Sequence, residues 1–196
     1  MTCDIVLVGV GGQGVLTIGE LLLHAAFDAG APASLLPTKG MAQRGGFVMV
    51  ELRLGREGAG PRIGERSADL VVGTERSEAL RGIRYAKPDG TFVLFDHVWA
   101  PTGVMLGSDA YPTLPQVTET IRAATGRLIV LDPAELPAVD GRTVRPNVYV
   151  LGAMIGTAPL GELLDPSTVE RVLQDRWPKV ARPNREAFRA GLRSVS

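Results

Sequence analysis

An apolar run, Ile5-Val6-Leu7-Val8, passes directly into a glycine cluster, Gly9-Val10-Gly11-Gly12-Gln13-Gly14, and then into a segment with helical periodicity. No other feature constrains the fold as much. A strand that is apolar at successive positions is covered on both faces, the condition of a parallel sheet flanked by helices. The strand is expected over Asp4 to Val8. In the segment after the glycines, Val15, Ile18, Leu22, Ala25 and Ala29 share one helical face, and Gly30 stops the helix. Gly9, Gly11 and Gly14 satisfy G-x-G-x-x-G between strand and helix. In such a motif the first glycine permits a tight turn, the second lets another group approach the backbone, and the third lets helix and strand pack closely. The helix start offers free N–H groups to a phosphate or carboxylate. A dinucleotide site needs, in addition, a carboxylate about 20 residues further on, at the end of the second strand. Ser34 to Pro37 supply none, and Asp28 falls within the helix. Three readings of the loop stay open: an NAD or FAD site, a purely architectural turn, and a loop that meets an anion or a partner subunit.

Alternation of strand and helix continues along the chain. A short strand is expected at Ala33 to Leu36, a polar loop at Pro37 to Gly46, and a strand at Phe47 to Leu54 with Val48, Val50, Leu52 and Leu54 on one face. Gly55 to Arg66 reads as a surface loop. Asp69 to Gly73 is a strand, and Thr74 is suited to cap a helix over Glu75 to Tyr85. Pro88-Asp89-Gly90 marks a turn before a strand at Thr91 to Phe95. His97 to Pro115 is broken by prolines and glycines and has room for short irregular strands. Gln116 to Ala124 reads as helix, Arg127 to Leu131 as strand, and Val144 to Gly156 as helix with Pro146 in its first turn. Ser167 and Glu170 read as a capping box for a helix ending before Pro178, and a last helix covers Asn184 to Arg193. The fold class is therefore α/β: three layers, a mainly parallel sheet with helices on both faces, in one domain over residues 1–196.

Composition narrows the function. Lysine plus arginine equals aspartate plus glutamate, 21 each, which removes any electrostatic pull toward nucleic acid or an anionic membrane. The hydrophobic share is 45%, enough for a real core. Cys3 is the one cysteine, so the chain cannot by itself hold an iron–sulfur cluster, which takes about four thiolates. His24 and His97 stand far apart without cysteine partners, against a zinc site. The chain enters a strand with no basic leader, and no apolar run approaches the roughly 20 residues that span a bilayer, so the expected compartment is the cytoplasm.

The second glycine segment, Thr38-Lys39-Gly40-Met41-Ala42-Gln43-Arg44-Gly45-Gly46, sets Lys39, Gln43 and Arg44 among three glycines straight after a candidate strand. That position is the carboxyl edge of the sheet, beside the first glycine loop, where open α/β sheets bind ligands or partners. Arg44 is suited to fork onto a carboxylate or phosphate; a solvated surface loop is the alternative. Together, Gly9-Val10-Gly11-Gly12-Gln13-Gly14 and Gly40-Met41-Ala42-Gln43-Arg44-Gly45-Gly46 resemble the gamma subunit or domain of the pyruvate and 2-ketoacid:ferredoxin oxidoreductases. The second motif looks most like the small (beta) subunit of the indolepyruvate branch. The resemblance continues through Ala68 to Gly73, Glu78-Ala79-Leu80, Arg145-Pro146-Asn147, Leu151-Gly152-Ala153 and Asn184 to Phe188, covering most of the chain in order.

This resemblance implies a Rossmann-like gamma domain and an enzyme that oxidatively decarboxylates a 2-oxoacid with coenzyme A, giving acyl-CoA, carbon dioxide and reduced ferredoxin. It implies that thiamine diphosphate and iron–sulfur clusters belong to one or more large partner subunits, on which this chain packs to cover the active site and receive coenzyme A. The site residues it implies are Gly9, Gly11, Gly12, Gln13, Gly14, Lys39, Gln43, Arg44, Gly45, Gly46 and Asn147; none is catalytic and none holds a metal. The family commonly shows a Glu or similar residue and a His before the second motif, where Pro37, Thr38 and Lys39 stand here. The departure leaves indolepyruvate, another arylpyruvate and a branched 2-oxoacid open as the acid. Asn147 is placed either to point into the crevice or to serve its helix start, Cys3 reads as a small buried hydrophobe, and Trp99 and Trp177 as core or interface anchors. A stand-alone NAD or FAD oxidoreductase and a regulatory module without an enzyme partner are the competing readings.

Overall fold

The computed structural model describes residues 1–40 and 45–195. In chain order the elements are β1 (Cys3–Val10), α1 (Val15–Asp28), β2 (Ala33–Lys39), β3 (Phe47–Leu54), β4 (Ala68–Gly73), α2 (Arg76–Gly82), β5 (Ala86–Phe95), α3 (Thr102–Met105), α4 (Leu114–Arg122), β6 (Arg127–Leu131), the two-residue strands β7 (Ala138–Val139) and β8 (Arg142–Thr143), α5 (Pro146–Ile155), α6 (Leu160–Leu163), α7 (Pro166–Arg176) and α8 (Ala181–Arg193). Six strands form one sheet in the order β2-β3-β1-β4-β5-β6. β1, β4, β5 and β6 are mutually parallel, while β3 runs antiparallel to both its neighbours. Since β2 and β1 both oppose β3, five strands point one way and only β3 is reversed.

Burial follows the pleat. Along β1 every residue is buried: Ile5 and Leu7 join α1, α5, α7 and α8 on one face, while Val6 and Val8 meet α2 and α4 on the other. The uninterrupted apolar run is thus explained by a strand in the middle of a three-layer fold. On the first face α5 and α8 cross closely at Gly152 and Gly191. A β-carbon on either glycine would run into the backbone carbonyl of Phe188 or Tyr149 on the opposite helix.

Several local expectations are corrected. Pro37, Thr38 and Lys39 are not loop but the end of β2, paired with Val50, Met49 and Val48 of β3; Pro37 is tolerated because β2 is an edge strand. The second glycine segment is consequently the connection of a β2–β3 hairpin, closed by Gly40 N–H donating to Phe47 O at 2.8 Å. Thr74 does not cap α2. Glu75 does, accepting from Glu78 N–H at 2.8 Å, because the Thr74 hydroxyl is turned elsewhere. Pro88-Asp89-Gly90 lies within β5, where the register against β4 slips between Ala68 and Leu70. His97 to Pro115 carries the one-turn α3 rather than strands. The helix read from Ser167 starts at Pro166 and is capped by Asp165; Glu170 instead receives both arms of Arg189.

Candidate functional site

At the carboxyl edge of β1, β4 and β5 the chain builds a cleft of about 340 Å³, lined by Gly12, Gln13, Gly14, Thr74, Phe95, His97, Arg145, Pro146, Asn147 and Val150. Four separate segments supply these residues: the loop after β1, the end of β4, the end of β5, and the start of α5. No carboxylate stands in this lining.

Gly9 is not in a turn. It is the penultimate residue of β1, paired with Val48. A β-carbon here would overlap Thr74 Oγ1 and stand 2.9 Å from Gln13 Oε1 and Val15 Cγ2. The glycine therefore makes room for a polar knot. Thr74 Oγ1 donates to Gln13 Oε1 at 2.8 Å, and Val10 N–H donates to the same oxygen at 2.9 Å. Gln13 Nε2 lies 3.4 Å from His97 Nδ1. Gly14 also differs from expectation. It adopts a left-handed φ of 80°, and what packs over it is the Asn147 amide, 2.5 Å from where its β-carbon would be. Asn147 thus faces the cleft, and α5 has no side-chain cap at its start.

The two glycine motifs meet. Gly11 N–H donates to Gly46 O at 2.8 Å, so the loop after β1 is bonded to the end of the second motif, where the chain enters β3. Gly45, with φ 68°, lies against the Trp99 indole, whose Nε1 is 3.3 Å from where its β-carbon would stand. Lys39 is exposed at the end of β2 and does not line the cleft. Gln43 and Arg44 lie outside the described residues.

Trp99 is held in place from below. Glu75, fully buried, accepts from Trp99 N–H at 3.1 Å, Ser77 Oγ at 2.7 Å, Glu78 N–H at 2.8 Å and the Tyr111 hydroxyl. Four donors satisfy a carboxylate that burial would otherwise destabilise. Burial, and then this bond to Glu75, push the Tyr111 phenol above its usual range. Arg76 forks onto Asp96 at 2.6 and 2.9 Å and stacks over Tyr111; the Asp96 bond raises its guanidinium further. On the scaffold so fixed, Val98, Trp99, Met105 and Leu106 are 47, 52, 70 and 78% exposed.

Sequence reasoning missed Thr74, Glu75, His97 and Arg145 as contributors. Thr74 is the first residue after β4 and His97 the second after β5, and that position at the carboxyl end of parallel strands was the available signal. The dinucleotide reading fails on topology as well as composition. β3 separates β2 from β1, placing the end of the second strand two sheet spacings, about 9–10 Å, from the glycine loop.

The family model of pyruvate ferredoxin/flavodoxin oxidoreductase matches residues 4–194. The chain belongs to this family. The indolepyruvate oxidoreductase subunit IorB of Archaeoglobus fulgidus is 36% identical over 156 residues, covering 80% of this chain and 77% of that protein. IorB of Pyrococcus horikoshii is 32% identical over 194 residues, covering 98% and 95%. Among solved structures, the pyruvate oxidoreductase subunit PORC of Thermotoga maritima superposes with a TM-score of 0.70 at 20% identity, covering 98% of this chain and 96% of that one. The 2-oxoglutarate:ferredoxin oxidoreductase of Magnetococcus marinus gives 0.64 at 20% identity, with 99% of this chain matching 31% of that chain. The same α/β fold thus occurs as a separate subunit and as part of a longer chain. This member of the family is a gamma-type small subunit of a 2-oxoacid ferredoxin oxidoreductase. Among the described residues no helix is long and apolar enough to cross a membrane.

Proposed function

We propose that this subunit serves an enzyme that transfers the acyl group of an arylpyruvate-type 2-oxoacid to coenzyme A. Carbon dioxide leaves, the coenzyme A thiol gives up its proton, and two electrons pass to ferredoxin. The iron–sulfur clusters do not fit this chain, whose single cysteine is fully buried in β1. They and thiamine diphosphate belong to the large subunit. This chain, working as one gamma-type domain, forms the coenzyme A side of the active site. Gly9, Gly11, Gly12, Gln13, Gly14 and Asn147 shape one part of that side, and Lys39, Gln43, Arg44, Gly45 and Gly46 the other.

The observation that carries this reading is the Gly11 N–H to Gly46 O hydrogen bond, 2.8 Å, which joins the two family motifs at their described residues. A cleft free of carboxylates in its lining suits an anionic ligand. The partner surface is the ledge of Val98, Trp99, Met105 and Leu106. Trp99, whose backbone N–H is held by the buried Glu75 carboxylate, is suited to anchor an interface because little loop entropy remains to be lost there, and Val98, Met105 and Leu106 add exposed apolar surface.

The test is co-production with the large subunit, followed by ferredoxin reduction with a set of 2-oxoacids, with and without coenzyme A. Coenzyme A-dependent reduction that needs both chains, with arylpyruvates preferred, is expected; the small chain alone is inactive. A small chain that stays a monodisperse monomer beside a fully active large subunit would sink the proposal. Preference for short straight-chain acids would overturn the substrate part alone.

A further inference from the structure

His97 has no place in the family motifs, yet it stands in the wall of the cleft with its backbone bonded on both sides and its ring against Phe95. Its backbone N–H donates to Phe95 O at 2.7 Å, and its carbonyl accepts from Arg76 N–H at 2.9 Å. Its ring stacks on Phe95, with centroids 6.2 Å apart and planes 16° apart. The fourth partner is Gln13, and it decides the chemistry. A backbone N–H and a threonine hydroxyl both approach one atom of the Gln13 amide, at 2.9 and 2.8 Å. The Val10 N–H can only donate, so that atom is the carbonyl oxygen. The amide nitrogen is then the atom facing His97 Nδ1. An amide nitrogen only donates, so Nδ1 accepts and the ring proton sits on Nε2.

We propose that His97 is a ligand-binding residue of the cleft, its Nε2–H held ready for an acceptor atom of a bound anionic group, with Gln13 as the positioning residue that sets the tautomer. The remainder of the lining agrees. Arg145 is a cation, Asn147 carries an amide donor, and no carboxylate is present to compete. Arg145 is steadied by Trp177, its guanidinium carbon lying 5.2 Å from the ring centroid. A carboxylate or a phosphate satisfies this set of donors. Within the proposed reaction, on which this inference rests, the two sources are the 2-oxoacid carboxylate and a phosphate of coenzyme A.

The test uses the full chain labelled with 15N-histidine, then the assembled enzyme. Long-range proton–nitrogen correlation of the free chain should show His97 with its proton on Nε2. Gln13→Leu should give a mixture of tautomers, and Gln13→Glu should move the proton to Nδ1, because an acceptor would then face that atom. A merely structural histidine would not bring the second readout: titration with coenzyme A, inorganic phosphate or phenylpyruvate should shift the Nε2 resonance. The shift should come with coenzyme A and phosphate if the phosphate is the group held, and with phenylpyruvate if it is the carboxylate. In the assembled enzyme, His97→Phe should weaken the responding ligand by about tenfold to a hundredfold, as for loss of one hydrogen bond to a charged group. A proton on Nδ1 in the unaltered chain overturns the inference. So does full-strength binding by the His97→Phe enzyme, which would leave the coenzyme A reading standing. Conversely, a His97 response to phosphate or phenylpyruvate in an enzyme that does not use coenzyme A would support the inference while refuting the wider function.

Discussion

Gly9→Ala separates two explanations of the same glycine. If Gly9 serves a tight turn, alanine there costs the same whatever surrounds it. If Gly9 makes room for the Thr74 hydroxyl, the cost must depend on Thr74. The new methyl would overlap Thr74 Oγ1 and stand 2.9 Å from Gln13 Oε1. The hydroxyl must turn away, breaking its 2.8 Å bond to Gln13, a loss of about 0.5–1.5 kcal/mol. Crowding in a packed interior adds about 1–3 kcal/mol. The total is about 2–4 kcal/mol, or roughly 5–15 °C in Tm for a chain of this length. Thr74→Ala alone should cost about 1–2 kcal/mol, from the lost bond and a small cavity. With both changes present the methyl occupies the vacated space, so the double variant should be more stable than the sum of the single costs by at least about 1 kcal/mol. Urea denaturation followed by tryptophan fluorescence gives all three values. Simple additivity would refute the steric account.

Three further outcomes follow from the structure. Glu75→Gln should lower the Tyr111 midpoint in an ultraviolet tyrosinate titration, with Tyr111→Phe to assign the signal, and an unchanged midpoint would contradict the bond seen here. The folded phenol is raised above its unfolded value of about 10, so its contribution to stability is complete below about pH 10 and declines as pH rises beyond that. Cys3, whose thiol is pushed up mainly by burial and then by Asp69 and Asp4, should resist a thiol reagent at neutral pH in the folded chain and react fully in denaturant; fast labelling of the native chain would count against its burial. Gly191→Ala should be among the most damaging single-methyl additions, at about 3 kcal/mol or more, since the Tyr149 carbonyl of α5 occupies that space; a thermal melt within a degree or two of the parent would show that the helices part easily.

Much of the fold was legible because its signals are local. The run from Ile5 to Val8, the faces of α1 and β3, and Pro146 at the start of α5 each specify their own element. The reversal of β3 was not legible. Its alternating pattern fits either direction, and only the pairing with its neighbours, Lys39 with Val48 across the hairpin and Gly9 with Val48 on β1, shows which applies. Capping failed where side chains had competing uses: Thr74 binds Gln13 rather than α2, and Glu170 binds Arg189 rather than a helix start. The cleft was half legible. Gln13, Gly14, Arg145 and Asn147 belong to recognisable motifs, whereas Thr74 and His97 are marked only by following parallel strands, and their meeting with Gln13 is a matter of tertiary placement.

Because β3 turns back between β2 and β1, the segment carrying the second family motif is anchored at both stems by one pair of strands, closed where Gly40 meets Phe47. The paired stems make what lies between them a natural target for exchange. Its residues can be rewritten, or transplanted from another branch of the family, while the ladder beneath keeps its register. Among the described residues, the Gly46 carbonyl, which accepts from Gly11, and Gly45, which lies against the Trp99 indole, tie such a graft to its surroundings. If the proposed role of this segment holds, ligand or partner preference can change here without renegotiating the folding of the sheet, and a family-wide set of hairpin chimeras on this one scaffold is a practical way to test it.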